Sequence, residues 1–245
     1  MKNVVMVTGA GTSLGKVIAH SLIKKNFRVV FADLSLGDAQ KAAESCASPE
    51  NALPLFVDIR NKASVEEALN ETTKHFGELN ALVNNAALTL TTNIMEIEPE
   101  EFDRVISTNL RGTFLCCQVI GTYFSNKRYG RIVNMASLAG QNGGTASGAH
   151  YAASKGGILT LTKVFARALS QYGVTVNSVA PGPIDVPSVH SLVPEDKMKE
   201  LLNMIPVSHL CDPAFIGETI SLLISEQAAF VTGATWDING GIYMR

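Results

Sequence analysis

Val4-Val5-Met6-Val7-Thr8-Gly9-Ala10-Gly11-Thr12-Ser13-Leu14-Gly15 is the stretch that decides the architecture. Its four leading apolar residues do not alternate with polar ones, which reads as a strand buried on both faces, as in a parallel sheet. From Leu14 onward, Val17, Ile18 and Leu22 share one helical face, with Lys16, His20, Lys24 and Lys25 left for the others. Between strand and helix, the glycines allow a tight turn and close backbone approach to a pyrophosphate, which sits at the positive end of the helix. A carboxylate closing the second strand completes the unit. This is Asp33, 18 residues beyond Gly15. It can accept both adenosine ribose hydroxyls and repels a 2′-phosphate. Leu34 and Ser35 follow it and Thr12 is uncharged, so NAD is favoured over NADP. Lys16, in the first helical turn, is the nearby cation that tempers this preference.

The same rhythm continues along the chain. Further strands are expected at Arg28–Ala32, Leu53–Val57, Ala81–Asn84, Arg131–Ala136, Thr175–Ala180 and Thr235–Ile238. Helices are expected over about 62–76, 99–125, 151–171 and 213–225. Alternation of this kind predicts right-handed crossovers and an α/β, doubly wound parallel sheet of seven strands with helices on both faces. With no linker, repeat or low-complexity segment, residues 1–245 read as a single domain. One segment breaks the pattern: 183–212 contains Pro183, Pro187, Pro194 and Pro206 around a short helical piece, EDKMKELLNM. A long insertion late in an α/β unit is more often functional than structureless, so this one is read as a lid over a site.

Composition excludes several classes. Of 245 residues, 46% are hydrophobic, which argues against disorder. Twenty basic against 22 acidic residues, without a block of one sign, leave no electrostatic footprint for nucleic acid. No apolar run reaches the ~18 residues of a membrane span, and the start MKNVVMVTGAG is too short in apolar residues for a signal peptide. Cys46, Cys116, Cys117 and Cys211 have no metal-ligand or CxxC spacing, and no histidines pair as metal ligands. A cytoplasmic chain with incidental thiols and no metal is expected.

Tyr151 and Lys155 lie one turn apart on one helical face. A phenol titrates near ~10 and is a poor base at neutral pH. An ammonium one turn away would favour the phenolate and bring it toward working range. With these residues in place, the chain resembles the short-chain dehydrogenase/reductase family over its whole length. TGAGTSLG resembles the family's cofactor loop, placing Gly9, Thr12, Ser13, Leu14 and Gly15 against the dinucleotide with Asp33. FVDIR offers Asp58 and Ile59 to the adenine, and NNAA offers Asn85 and Ala86. PGPI offers Pro181, Gly182 and Ile184 to the nicotinamide carboxamide. The closing FVTGATWDINGG is also similar to the family.

The resemblance implies a Rossmann fold and a catalytic tetrad of Asn109, Ser137, Tyr151 and Lys155. Tyr151 would exchange the proton with the carbonyl or alcohol oxygen, and Ser137 would hold that oxygen. Lys155 would bind the nicotinamide ribose and depress the tyrosine pKa, and Asn109 would anchor a water leading to solvent. Three departures stand out. Ser13 replaces a usual glycine, so Gly11 would supply the looseness one step earlier and the Ser13 hydroxyl would cap the helix or reach a phosphate. Ala87 replaces a glycine and narrows the groove if its φ is negative. Val186 stands where a threonine is common, which removes one cofactor hydrogen bond.

Gly156 and Gly157 inside the helix suggest close packing on a partner helix, and a homo-oligomer, dimer or tetramer, is predicted. Candidate substrate residues are Leu138, Gln141, Asn142, His150, Val186 and His190, with Val189, Leu192 and Met198 from the lid. His150 reads equally as a structural neighbour of Tyr151. HYAASKGG is similar to sugar and polyol dehydrogenases of the family. The full-length pattern is similar to 3-oxoacyl-carrier-protein reductases, which usually take NADPH. A small-molecule alcohol or ketone is the expected partner. A non-catalytic dinucleotide sensor is the competing reading, and such relatives typically lose the tyrosine or the lysine, both of which are present.

Overall fold

The computed structural model describes residues 3–144, 147–193 and 195–245. Pro194 of the expected lid lies outside them, and so does the Leu192 side chain. Seven strands form one sheet in the order β3-β2-β1-β4-β5-β6-β7. They are β1 (Val4–Thr8), β2 (Arg28–Asp33), β3 (Ala52–Phe56), β4 (Ala81–Asn84), β5 (Gly130–Met135), β6 (Val174–Pro181) and β7 (Thr235–Ile238). All adjacent pairs are parallel. Strand order reverses between β1 and β4, which opens a crevice at their carboxyl ends.

Side-chain alternation feeds two cores. Val5, Val7, Val29, Phe31, Val83 and Val133 face one side with Ile18 and Leu22 of α1 (Ser13–Lys24). Ala39 and Ala42 of α2 (Leu36–Glu44) and Ile216 and Ile220 of α10 (Pro213–Leu223) join them. Val4, Met6, Val30, Leu82 and Ile132 face the other side. There they meet Val65 and Leu69 of α3 (Lys62–Phe76), Ile120 and Phe124 of α5 (Gly112–Lys127), and Ala166 and Leu169 of α7 (Ala149–Leu169). The bare VVMV of β1 is fully buried because both of its faces are covered.

The helix expected over 99–125 is two helices, α4 (Pro99–Ile106) and α5, joined by a single π-turn over Ser107–Arg111. The backbone stays helical through such a turn, so the two helices read as one stretch. α6 (Ala139–Asn142) is short and packs on α7. In that contact a Cβ on Gly140 would fall 2.7 Å from the Gly156 nitrogen, and one on Gly157 would fall 2.7 Å from Leu110 Cδ1. Gly156 and Gly157 therefore also serve close contacts inside the chain.

The segment 183–212 contains α8 (Pro187–Leu192) and α9 (Glu195–Met204). A bridge between Ile184 and Cys211 closes its base, with Asp185 N–H donating to Cys211 O at 2.9 Å.

Candidate active site

The glycine loop takes its shape from contacts that only a bare Cα allows. A Cβ on Gly15 would stand 1.9 Å from the Gly9 carbonyl oxygen. Gly9 is left-handed at φ +66°, its Cα pressed toward Ala86. Gly11 does not supply the looseness expected of it. Its φ is not in the left-handed region, and its N–H donates to Asp33 Oδ2 at 2.9 Å. The second left-handed residue is instead Ser13, at φ +48°, a conformation that costs an L-residue about 1–2 kcal/mol. Ser13 is the first residue of α1, and the N-cap Thr12 makes no side-chain bond to the helix amides. The positive end of α1 thus faces the crevice without a side-chain cap.

The crevice is a cleft of about 620 Å³ running from Asp33 to Tyr151 across the sheet's switch point, within the usual range for ligand sites. Every residue expected at the dinucleotide lines it: Gly9, Thr12, Ser13, Leu14, Gly15, Asp33, Asp58, Ile59, Asn85, Ala86, Tyr151, Lys155, Pro181, Gly182 and Ile184. Asn85 ties the switch point together, its Nδ2 donating to Thr8 O at 3.0 Å and Gly9 O at 3.3 Å. Asp33 also accepts from Ser35 N–H at 3.0 Å, which aims the carboxylate at the loop. Arg60, a cation on the same wall, is held by Asp58 through bonds of 2.8 and 2.7 Å. That guanidinium keeps the Asp58 carboxyl below the usual range. Ala87 lines the cleft and is not left-handed, so its methyl does narrow the groove.

At the other end of the cleft, Ser137 follows β5, and Tyr151 and Lys155 lie in the first two turns of α7. The side chains of Ser137 and Thr89 share this end of the cleft with Tyr151 and lie close enough to act on its phenol. Lys155 is buried, its Nζ donates to Met135 O at 2.6 Å, and it lies 5.6 Å from the centroid of the Tyr151 ring. Burial lowers the lysine's pKa to about 8. Burial also raises the phenol above its ordinary value, against smaller opposing effects of the Ser137 and Thr89 hydrogen bonds. The expectation that Lys155 depresses the tyrosine is thus reversed for the polypeptide on its own. The ammonium sits over the ring and donates its hydrogen bond to Met135 O, and desolvation of the phenol outweighs the opposing effect of the Ser137 and Thr89 hydroxyls.

Asn109 does not line the cleft. It occupies the π-turn, fully buried, where its Oδ1 accepts from Leu88 N–H at 2.7 Å. Its Nδ2 donates to Leu88 O at 2.9 Å and to Ser154 Oγ at 3.1 Å. It thereby pins the loop after β4 to α7. Of the expected substrate residues, Val186 lines the cleft and so does Val189. Leu138, Asn142 and Gln141 do not, and Gln141 Nε2 donates to Asp237 Oδ1 at 2.6 Å. His190 pairs with Asp185 on the exposed lid at 2.7 Å. His150 is buried behind Tyr151.

Sequence reasoning missed Thr89, Leu88, Arg104 and Met135. Thr89 had a usable signal, since it lies two residues past NNAA, in the loop leaving the switch point. Among the described residues, no group of three or more histidine, cysteine, aspartate or glutamate side chains could hold a metal, and no helix is long and apolar enough to cross a membrane. All four cysteines are free, and burial pushes the Cys117 thiol up to about 12.

Residues 9–243 match the family model described as Enoyl-(Acyl carrier protein) reductase. The chain is 35% identical over 241 residues to the 3-oxoacyl-(acyl-carrier-protein) reductase FabG of Vibrio cholerae, covering 98% of this chain and 97% of that one. It is 33% identical to the protein of that name from Staphylococcus epidermidis, over the full length of both. The Escherichia coli protein of that name is also 33% identical, over 98% of this chain and 97% of its own. The chain belongs to the short-chain dehydrogenase/reductase family. As a short-chain dehydrogenase/reductase it is an oxidoreductase acting on a carbonyl or alcohol with NAD or NADP. The cleft fits such a cofactor. Its loop has no room for a side chain at Gly15, a helix N-terminus without a side-chain cap faces it, and the Asp33 carboxylate lines it beside the loop. A Gly15→Ala chain should fold, because the clash sits in one loop, yet bind NADH at least about tenfold more weakly by calorimetry.

Proposed function

We propose that this enzyme moves a hydride between NAD and a secondary alcohol or ketone, with Tyr151 as the acid/base. The observation that carries the reading is the convergence of Ser137, Tyr151 and Lys155 at one end of a dinucleotide-sized cleft. The nicotinamide supplies or receives the hydride, and the protein contributes placement and proton handling. Ser137 and Tyr151 converge on one substrate oxygen, which Tyr151 protonates on reduction and deprotonates on oxidation. Lys155 holds the ribose hydroxyls and adds positive charge beside the phenol. Asn109 fixes the loop carrying Leu88 and Thr89 against α7, which keeps the proton path in register. Turnover of a panel of ketones with NADH, and of the matching alcohols with NAD, tests the reaction. Activity on neither would overturn it.

NAD is preferred because the Asp33 carboxylate sits where the ribose hydroxyls would bind, and Arg60 is already committed to Asp58. Calorimetry should give NADH at least about tenfold tighter than NADPH, a difference of about 1.4 kcal/mol. Asp33→Ser should shrink that ratio. Tighter NADPH binding by the unaltered protein would refute the assignment.

A second reading has specific support. The relatives are named as 3-oxoacyl-(acyl-carrier-protein) reductases, and Leu88, Ile184, Val186 and Val189 make the wall near Tyr151 apolar, as an acyl chain would need. On this reading acetoacetyl thioesters are reduced with higher kcat/KM than simple ketones or sugars. Comparable rates on all three would count against it.

A further inference from the structure

His150 is a buried titratable group with no part in the proposed proton transfer, and its contacts are unusually definite. The ring is fully buried at the start of α7. A Cβ on Gly148 would fall 2.3 Å from His150 Cε1, so the helix entry is shaped around the ring. Its Nε2 lies 2.8 Å from Glu101 Oε1 on α4. The carboxylate only accepts, so Nε2 carries the proton. Nδ1 is then left as a lone pair, and it accepts the backbone N–H of Tyr151 at 2.9 Å. That amide belongs to the first turn of α7, where a helix has no carbonyl of its own to offer. Gly148 N–H donates to Leu90 O at 2.9 Å, which ties the helix entry to the loop after β4. The network therefore joins Tyr151 to the loop that carries Thr89, which lines the cleft with the Tyr151 phenol.

We infer that His150 is a positioning residue for Tyr151: held in one tautomer by Glu101, it fastens the tyrosine's backbone, and so its phenol, against Ser137 and Thr89. The inference rests on the proposed acid/base role of Tyr151. Two substitutions separate the halves of the relay. In His150→Asn, Oδ1 takes the place of Nδ1 and still accepts the Tyr151 amide, but the side chain is too short to reach Glu101. In His150→Gln, the amide takes the place of Nε2 and reaches Glu101, but it leaves the Tyr151 N–H unpaired.

The experiment is steady-state kinetics of full-length protein with saturating NADH and the best ketone of the panel, alongside thermal melts. His150→Gln should lower kcat by about 10–100-fold with KM little changed, the scale expected from misplacing a reacting group. His150→Asn should retain kcat within about threefold. Glu101→Gln, which can present its amide NH₂ and release the tautomer, should fall between the two. Two results would overturn the inference: folded His150→Gln with unaltered kcat, or an Asn variant as impaired as the Gln variant at similar Tm. If Tyr151→Phe itself retains turnover, the functional reading fails first. If Tyr151→Phe is inactive and His150→Gln is not, only the positioning role fails.

Discussion

Tyr151→Phe should lower kcat by about 10²–10⁴-fold, the range contributed by a positioned general acid or base, while NADH affinity stays within about twofold. The phenylalanine ring fills the same space, so what is lost is the hydroxyl beside Ser137 and Thr89 in the cleft. The residues proposed to hold the cofactor, from Gly9 to Asp58, lie elsewhere in the cleft and are untouched by the change. The pH profile gives an independent check. Burial raises the phenol above 10, so in the polypeptide it stays protonated at neutral pH and suits the reducing direction. Oxidation needs the phenolate and should speed up as pH rises, whereas reduction should slow. Tyr151→Phe should flatten both trends. Unchanged turnover in the variant would remove the proposed acid/base.

Lys155→Met should make the enzyme inactive and more stable together. Burial brings the ammonium from an ordinary 10.5 to about 8, so in the folded protein the charged form is disfavoured. Expressed through linkage, that difference is about 3 kcal/mol against the fold wherever the lysine is charged in both states. Below pH 8 the full penalty applies. Between 8 and 10.5 the folded protein sheds its proton while the unfolded chain keeps it, so stability gains as pH rises and the penalty disappears. Methionine fills similar volume without the charge, but leaves Met135 O without its 2.6 Å partner, at a cost of ~1 kcal/mol. At pH 7 the net gain should raise Tm by roughly 4–8 °C. At pH 10.5 the advantage should be gone. Stability sacrificed at a functional lysine is the expected signature of a site built for chemistry. A variant less stable than the parent at pH 7 would contradict it.

The strands were legible to within a residue or two at their ends because a doubly covered sheet demands uninterrupted apolar runs, and VVMV, RVVFA and ALVN can do little else. The glycine loop, Asp33 and the Tyr151–Lys155 spacing were legible because each needs a particular residue type at a particular place. Asn109 was visible as a residue but not as a π-turn, because the backbone stays helical through the one-residue insertion.

Linear order, then, was enough for the sheet, the cofactor loop and the residues that meet at its edge, since periodicity, glycine placement and one-turn spacing are local properties of a chain. Three matters depended on contacts between segments far apart in sequence. The first is the direction of the Tyr151 and Lys155 shifts, which follows from how deeply the folded protein removes each from water. The second is the choice of Ser13, and not Gly11, for the left-handed turn, since the Gly11 amide is spent on Asp33 across the strands. The third is His150, read from sequence as either a substrate residue or a structural neighbour of Tyr151, which packing makes the link between α4 and α7 because a buried imidazole must satisfy both nitrogens with whatever the fold brings near.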